Sequence, residues 1–371
     1  MANLFDYLDW RGDIPFSQVP FNQIDALMLA HISYSIFDGL APESFGKKIS
    51  FEELAGHLKS ADDFERRTNT GYLINKRTTE LFFKCASCVR FKDTLISGMR
   101  VIFDEKRREQ FAAMVYSIDA LSILSYRGTD DTLLGWEEDF NLAWLDEIPS
   151  QADALAYFLE SADFFDTDFV ITGHSKGGNL AVNTAVRCGK DLQKRISRVY
   201  NFDGPGFPCE FFQLPEYKAV EKRIVSVYPQ FSVVGMLFCH PKKYQIVESS
   251  ESAVMQHDAV SWQILGSQFV QKKRFDKASI VFKKGFNEWV DGLEKERRKV
   301  FVTALFDVIN ASGVSTLDEM QKNAIPCSAR MISAFASLEK STRKEVMSIL
   351  SLFRHSMESA LPVIKHIWRE R

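Results

Sequence analysis

The sequence predicts an α/β fold, a mostly parallel β-sheet flanked by helices, followed by a helical C-terminal appendage. Three observations predict it. Short runs rich in β-branched and aromatic residues begin after Met99, the strand-like Asp168-Phe-Val-Ile-Thr172 is both preceded and followed by helical periodicity, and from Gln271 onward the pattern is helical throughout. Helix, buried strand, helix is the order that parallel βαβ packing requires. The expected organisation is an α/β domain over residues 1–270, with a mostly helical part over residues 1–90, and the appendage over residues 271–371.

Taken in order, residues 24–37 place Leu27, Ala30, Tyr34 and Phe37 at helical spacing, and residues 51–58 form a shorter helical stretch. His31 lies beside the first stripe and reads as a structural or surface imidazole. Residues 101–103, 112–118 and 121–126 have strand composition, with a turn at 117–120. Residues 133–145 and 151–165 read as helices, as do 179–188 after the buried strand; 198–202, 224–228 and 244–247 read as further strands. In the appendage, residues 295–310 align Val300, Phe301, Ala304, Leu305 and Val308, and Thr316 with Glu319 is a capping-box signature. Gly313 and Pro326 punctuate this part, and residues 345–368 add an apolar series that Pro362 is expected to bend or break.

Composition limits the class. With 371 residues, 46% apolar and 26% charged, the chain has too much apolar material for disorder, and its net charge of −3 argues against nucleic acid as a main partner. No apolar run approaches the ~18 residues of a membrane span. The start, Met1-Ala-Asn-Leu-Phe-Asp6, has neither a basic n-region nor an apolar h-region, so a cytoplasmic location is expected. Six cysteines are scattered, and the one close pair, Cys85 and Cys88, lacks the second pair or His of a zinc site. Buried, reduced thiols are expected, with no metal and no cofactor. Residues 271–371 carry 19 Lys and Arg against 12 Asp and Glu, +7, which leaves −10 for the rest.

The chemistry is concentrated at Gly173-His174-Ser175-Lys176-Gly177, a GxSxG run between the strand at 168–172 and the following helix. A nucleophile elbow needs that context: the serine sits in a strained turn at a helix N-terminus, and the glycines remove side chains that would collide. The same letters also suit a tight βα turn or an anion nest. His174, inside the elbow, is expected to point away from the reacting centre. A serine needs a base, and His257 in Met255-Gln-His-Asp258 follows the strand at 244–247, where a hydrolase of this class keeps one; His240, before Pro241, is the alternative. For the acid, Asp203 follows the strand at 198–202 and opens Asp-Gly-Pro-Gly206, although an Asp there also suits a turn cap. Asp258 adjoins His257 and cannot easily turn back onto its ring. Ser125-Tyr-Arg-Gly-Thr-Asp130 closes a strand upstream, where Thr129 can share an oxyanion with the N–H of Lys176.

Ser125-Tyr-Arg-Gly-Thr-Asp-Asp131 with Gly135-Trp136-Glu-Glu-Asp139 resembles the oxyanion block of class 3 (fungal-type) lipases, Phe-Arg-Gly-Thr/Ser followed by a Trp and an Asp. Gly-His-Ser-Lys-Gly-Gly178 is similar to their elbow. Together with Phe-Asp-Gly-Pro-Gly206 and Met-Gln-His-Asp258, the combination most resembles a bacterial group of lipase-like hydrolases, the Mbeg-like proteins, over about residues 3–265. The resemblance implies an α/β-hydrolase (lipase-like) fold, Ser175 and His257 as the acyl-transfer residues, and Thr129 and Lys176 as the oxyanion hole. It departs in one place. Class 3 lipases take their acid from Asp-x-Val-Pro after the next strand, where this chain has Gln230-Phe-Ser-Val-Val234. Either Asp203 takes the role or a Ser–His pair acts alone.

The expectation is a serine esterase acting on a small-molecule ester or lipid-like substrate through a Ser175–His257–Asp203 acyl-enzyme. The alternative is a weak or inactive hydrolase fold that serves as a scaffold, its basic appendage touching a partner or an anionic membrane surface.

Overall fold

Eight strands pair in the order of the sequence: β1 (Ile49–Ser50), β2 (Leu95–Asp104), β3 (Glu109–Ile118), β4 (Leu121–Tyr126), β5 (Asp168–His174), β6 (Ile196–Phe202), β7 (Ile224–Pro229) and β8 (Gln245–Val247). The structure is a computed structural model that describes residues 2–71 and 77–360. β1 to β4 form an antiparallel meander, whereas β4 to β8 are parallel throughout. The change of direction follows from the connections. The β3–β4 hairpin turns tightly, with Asp119 in the left-handed region at φ 49°. Each parallel pair up to β7 is instead joined through helix.

Helices α1 (Leu4–Arg11), α2 (Gln23–Ile32), α3 (Phe51–Lys59), α4 (Phe64–Thr68) and α5 (Thr78–Ser87) precede the long strands. Helices α6 (Leu133–Asn141) and α7 (Pro149–Phe164) join β4 to β5; α8 (Lys176–Arg187) and α9 (Lys190–Lys194) join β5 to β6; α10 (Pro215–Val220) joins β6 to β7. The sheet is apolar on both faces. Leu4, Leu27, Phe51 and Phe82 of the N-terminal helices pack with Tyr116, Ile123 and Val170 on one face. Phe158 of α7 and Leu180 of α8 pack with Val115, Leu124, Phe169 and Ile171 on the other. Alternate residues of β5 thus enter different cores, which is why its sequence reads as one apolar run. This is the expected α/β architecture, a mostly parallel sheet flanked by helices.

After a small hairpin (Ile264–Leu265 with Gln268–Phe269) come α11 (Lys277–Asp291), α12 (Lys295–Asn310), α13 (Leu317–Lys322), α14 (Ala324–Ser337) and α15 (Lys340–Ala360). They share a core of Leu293, Phe301, Val302, Phe306, Val346 and Ile349, and Trp136 and Trp144 pack against it. The start of α13 is capped by Thr316, whose Oγ1 accepts the Glu319 N–H at 3.2 Å. Its approach is tied to the β4–α6 loop by Leu133 N–H to Ser315 O at 2.9 Å and Leu317 N–H to Asp131 O at 3.0 Å.

Some details differ from expectation. Pro326 does not separate elements but lies in the first turn of α14, where a missing N–H costs nothing. Pro362 and the rest of the expected series to Trp368 lie outside the described residues. The cysteines are not all thiols: Phe207 and Cys239 form an antiparallel bridge that brings the Cα atoms of Cys209 and Cys239 to 5.2 Å, and those two are joined as a disulfide. Cys85, Cys88, Cys188 and Cys327 are free. Among the described residues no helix is long and apolar enough to cross a membrane.

Candidate active site

The chemistry-bearing residues lie at the C-terminal ends of the parallel strands, where an open α/β sheet leaves a crevice. At the end of β5 the chain reverses into α8 within one residue, and Ser175 adopts φ 58°, ψ −133°. A non-glycine residue there costs on the order of 1–3 kcal/mol and persists only when its surroundings impose it. They do. The Ser175 N–H donates to Phe202 O on β6 at 2.9 Å, and Gly178 N–H closes back on Ser175 O at 2.9 Å. A Cβ at Gly173 would collide with the Gly177 carbonyl, and one at Gly177 with the Tyr126 carbonyl, so strand and helix approach this closely only with glycine at both.

Asp203, at the end of β6, is also in the left-handed region, at φ 51°, and its side chain is wholly buried. Its Oδ2 lies 2.6 Å from His257 Nδ1. Its Oδ1 accepts the Ser232 hydroxyl at 2.6 Å, and the Gly235 N–H also donates to the carboxylate. Burial raises the Asp203 carboxyl above its ordinary range, and the bonds from His257 and Ser232 oppose that rise. Asn179 of α8 holds the following turn by donating to Pro205 O and Gly206 O, both at 3.1 Å.

His257 ends a short helical turn, Ala253–His257, after β8. Trp262 Nε1 donates to Gln256 O at 2.8 Å, and Gln256 Oε1 accepts the Phe231 N–H at 2.9 Å, which fixes this turn over the sheet. Ser175 and His257 line one cavity of about 80 Å³, with Tyr34, Thr129, Trp136 and Val234 among its walls. Among the described residues no hydrogen bond joins Ser175 Oγ to His257 Nε2; such contacts commonly tighten only when substrate is bound. The alternative base, His240, is elsewhere. Its ring stacks on Tyr228 with centroids 5.5 Å apart, burial pushes its pKa down to about 4, and both of its nitrogens lack partners among the described residues.

His174 does not point away. It lines the cavity, and its ring lies 4.5 Å from that of His257. Burial lowers its pKa well below the ordinary value, so the ring is neutral. Nε2 faces the His257 carbonyl at 2.8 Å and must carry the proton, which leaves Nδ1 to accept the Tyr34 hydroxyl at 3.0 Å. The elbow and the loop of the histidine are thereby tied together. His31 is buried, with Nε2 3.0 Å from Thr78 Oγ1, and forms part of the cavity wall.

The β4–α6 loop closes the remaining side. A Cβ on Gly128 would stand 2.9 Å from Ser175 Cβ, so the backbone before Thr129 passes directly beside the serine. Thr129 Oγ1 donates to Asp139 Oδ2 at 2.6 Å, and burial raises the Asp139 carboxyl to about 6. The Lys176 side chain is buried in a separate network: Nζ donates to Glu138 Oε2 at 2.7 Å and Gln110 O at 2.6 Å. What Lys176 presents beside Ser175 is its backbone N–H, in the first turn of α8, where that group has no helical acceptor. Ser232, Glu138, Asn179 and Tyr34 were not singled out from sequence. Only the position of Ser232, inside the segment that lacks the expected carboxylate, carried a hint.

The Mbeg1-like family model matches residues 85–307. Among solved structures, the crystal structure of M37 lipase is 14% identical, covers 57% of this chain and 68% of that one, and superposes with a TM-score of 0.34. The native Rhizomucor miehei lipase propeptide complex is 16% identical, with 54% and 67% covered and a TM-score of 0.30. No curated protein matches the sequence. With the family model spanning more than half of its length, from the end of α5 through most of α12, this chain belongs to the Mbeg1-like family.

Proposed function

We propose that the protein is a serine hydrolase that cleaves carboxylic esters through an acyl-enzyme. One observation carries the reading: His257 has its Nδ1 2.6 Å from the buried Asp203 carboxylate, while its ring shares a cavity with a serine held in the strained elbow conformation. In this reading Ser175 Oγ attacks the ester carbonyl and His257 Nε2 takes its proton. Asp203 fixes the tautomer and stabilises the imidazolium. The developing oxyanion is met by the N–H of Lys176 and by Thr129, whose position Asp139 sets. Collapse of the tetrahedral intermediate breaks the bond to the alcohol, which leaves with the proton from His257. Water, deprotonated by the same imidazole, then releases the acid and restores Ser175.

A second reading, a scaffold with an idle site whose C-terminal helices engage a partner or an anionic membrane surface, is favoured by the absence of a Ser175–His257 hydrogen bond among the described residues. A fluorophosphonate probe separates the two. Stoichiometric labelling at Ser175, abolished in Ser175→Ala, is expected of the hydrolase; an unlabelled, folded protein at neutral pH supports the scaffold.

A further inference from the structure

The cavity that holds Ser175 and His257 measures about 80 Å³, and Trp136, Val234, Val254 and Met255 give it an apolar lining. An engineered apolar cavity of ~150 Å³ accommodates one benzene, so about half that volume holds roughly two to four carbons. The walls are also unequal. A leaving alcohol must lie beside the imidazole that protonates it, and the side of His257 is the open one: Val254 and Met255, three and two residues before it, are 55% and 45% exposed. The acyl chain is left with the rest of the lining, which includes Trp136 of α6, less exposed than either of those two.

That wall is buttressed. Trp136 packs from behind against the core of the C-terminal helices, with Leu293, Phe301 and Phe306. The start of α6 is fixed to the approach of α13 by Leu133 N–H to Ser315 O and by the bridge between Thr132 and Thr316. A longer chain would have to displace a side chain wedged between two packed units, at the cost of overpacking. Three larger cavities, of about 420 Å³ beside Glu137 and Asn310, about 350 Å³ beside Cys209 and Lys295, and about 420 Å³ beside Gly39 and Arg100, include neither Ser175 nor His257.

We propose that this site takes esters of short carboxylic acids, about two to four carbons, on alcohols of unrestricted size, and that Trp136 sets the limit. The proposal rests on the hydrolase reading and specifies its substrate class. The bond made is from the short acyl carbon to Ser175 Oγ, and the bond broken is from that carbon to the alcohol oxygen, which departs with the serine proton through His257. Water then returns the serine and yields the short free acid.

The test uses the full-length protein, its active sites counted with a fluorophosphonate, on p-nitrophenyl acetate, butyrate, octanoate and decanoate. For the wild type, kcat/KM on octanoate is expected at least about 10-fold below that on butyrate, the scale of several methylenes refused by a pocket. Trp136→Ala is expected to raise the octanoate-to-butyrate ratio by about 10-fold or more. Trp136→Leu provides the same comparison if the alanine variant fails to fold. Octanoate or decanoate turned over as well as butyrate by the labelled wild type overturns the short-acyl proposal and leaves the hydrolase reading standing. An unchanged ratio in both folded variants overturns the role of Trp136. No labelling of Ser175 and no turnover of any ester overturns the hydrolase reading, and the proposal falls with it.

Discussion

Ser232 donates its hydroxyl to Asp203 at 2.6 Å across the gap between two neighbouring strand ends. The serine follows β7, in the segment where class 3 lipases, which this chain resembles, keep their acid; the aspartate follows β6. In the proposed mechanism Asp203→Asn presents the wrong hydrogen-bonding group to His257 and is expected to lower turnover by ~10³ to 10⁴-fold. Ser232→Ala removes one bond to a charged group and should cost about 10-fold. The positioning role has its own signature, a shifted acidic limb in the pH profile of kcat/KM, which a merely structural serine would leave in place. The swap Asp203→Ser with Ser232→Asp tests whether both strand ends reach the same imidazole, with recovery of activity over Asp203→Ser as the expected result.

Ser175→Ala is expected to abolish esterase activity, by ~10⁴ to 10⁶-fold, without lowering the melting temperature. Alanine occupies the same backbone conformation no worse than serine does. Residual turnover above a tenth of wild type in the purified variant would remove Ser175 from the mechanism.

His257→Ala should match that loss. His240→Ala should instead affect stability, because its buried ring stacks on Tyr228 and lies away from the cavity. The pair of variants, assayed for turnover and for melting, distinguishes base from packing residue; the opposite ranking would mean that the wrong imidazole has been assigned.

Glu138 and Lys176 form a buried ion pair at 2.7 Å, with both side chains almost fully enclosed. Glu138→Gln leaves the ammonium without its counter-charge and is expected to destabilise by about 3 kcal/mol, read from chemical denaturation. Combining it with Lys176→Met should recover part of that loss. If the double variant is as unstable as the sum of the singles, the pair is not coupled and the account of Lys176 is wrong.

Asp139 supplies a prediction in pH. Its folded carboxyl titrates near 6, above the 3.8 of the free side chain, so the folded state binds the extra proton between those values. Stability is therefore lost as pH rises from about 4 to 6, and the loss, up to about 3 kcal/mol, is complete above that range. Asp139→Asn, neutral at every pH, should melt higher than wild type at pH 8, and its advantage should shrink as pH falls from 6 towards 4. An advantage constant across that range would place the cause elsewhere.

Much of the fold was legible because the strand-like run at 168–172 is bounded so sharply, by a GxSxG turn and then helix, and the structure extends it only to His174 as β5. The β-branched and aromatic composition of residues 101–103, 112–118 and 121–126 marks β2 to β4 as well, although residues 95–100 and 109–111 escape that reading because Ser97, Gly98 and Glu109 break the apolar pattern. For the site, the order of Ser175, Asp203 and His257 could be read along the chain, since each follows a strand. The contacts that bind them to their surroundings could not. Ser232 meets Asp203, Lys176 meets Glu138 and Tyr34 meets His174 across separations of 29, 38 and 140 residues, which no local periodicity records. The same limit hid the disulfide: 30 residues separate Cys209 from Cys239, and backbone pairing at Gly206 and Phe207 brings their segments together.

The sheet ends in β1, of two residues, and β8, of three. An exposed strand edge is a template onto which another chain can add by backbone hydrogen bonding, and its adhesive power grows with its length. Here the β8 border is partly occupied, since Lys272 N–H already donates to Ile246 O, and beyond β1 the edge of β2 is met, among the described residues, by Ser44 O and Pro42 O only at Gly98 and Met99. Strand addition is thereby hindered at the β8 margin, whereas on the other side β1 covers only Leu95 and Ile96 of β2 and leaves Val101 and Phe103 exposed farther along it. Large apolar side chains also reach solvent on α14, where Ile325 and Ile332 stand 86% and 70% exposed.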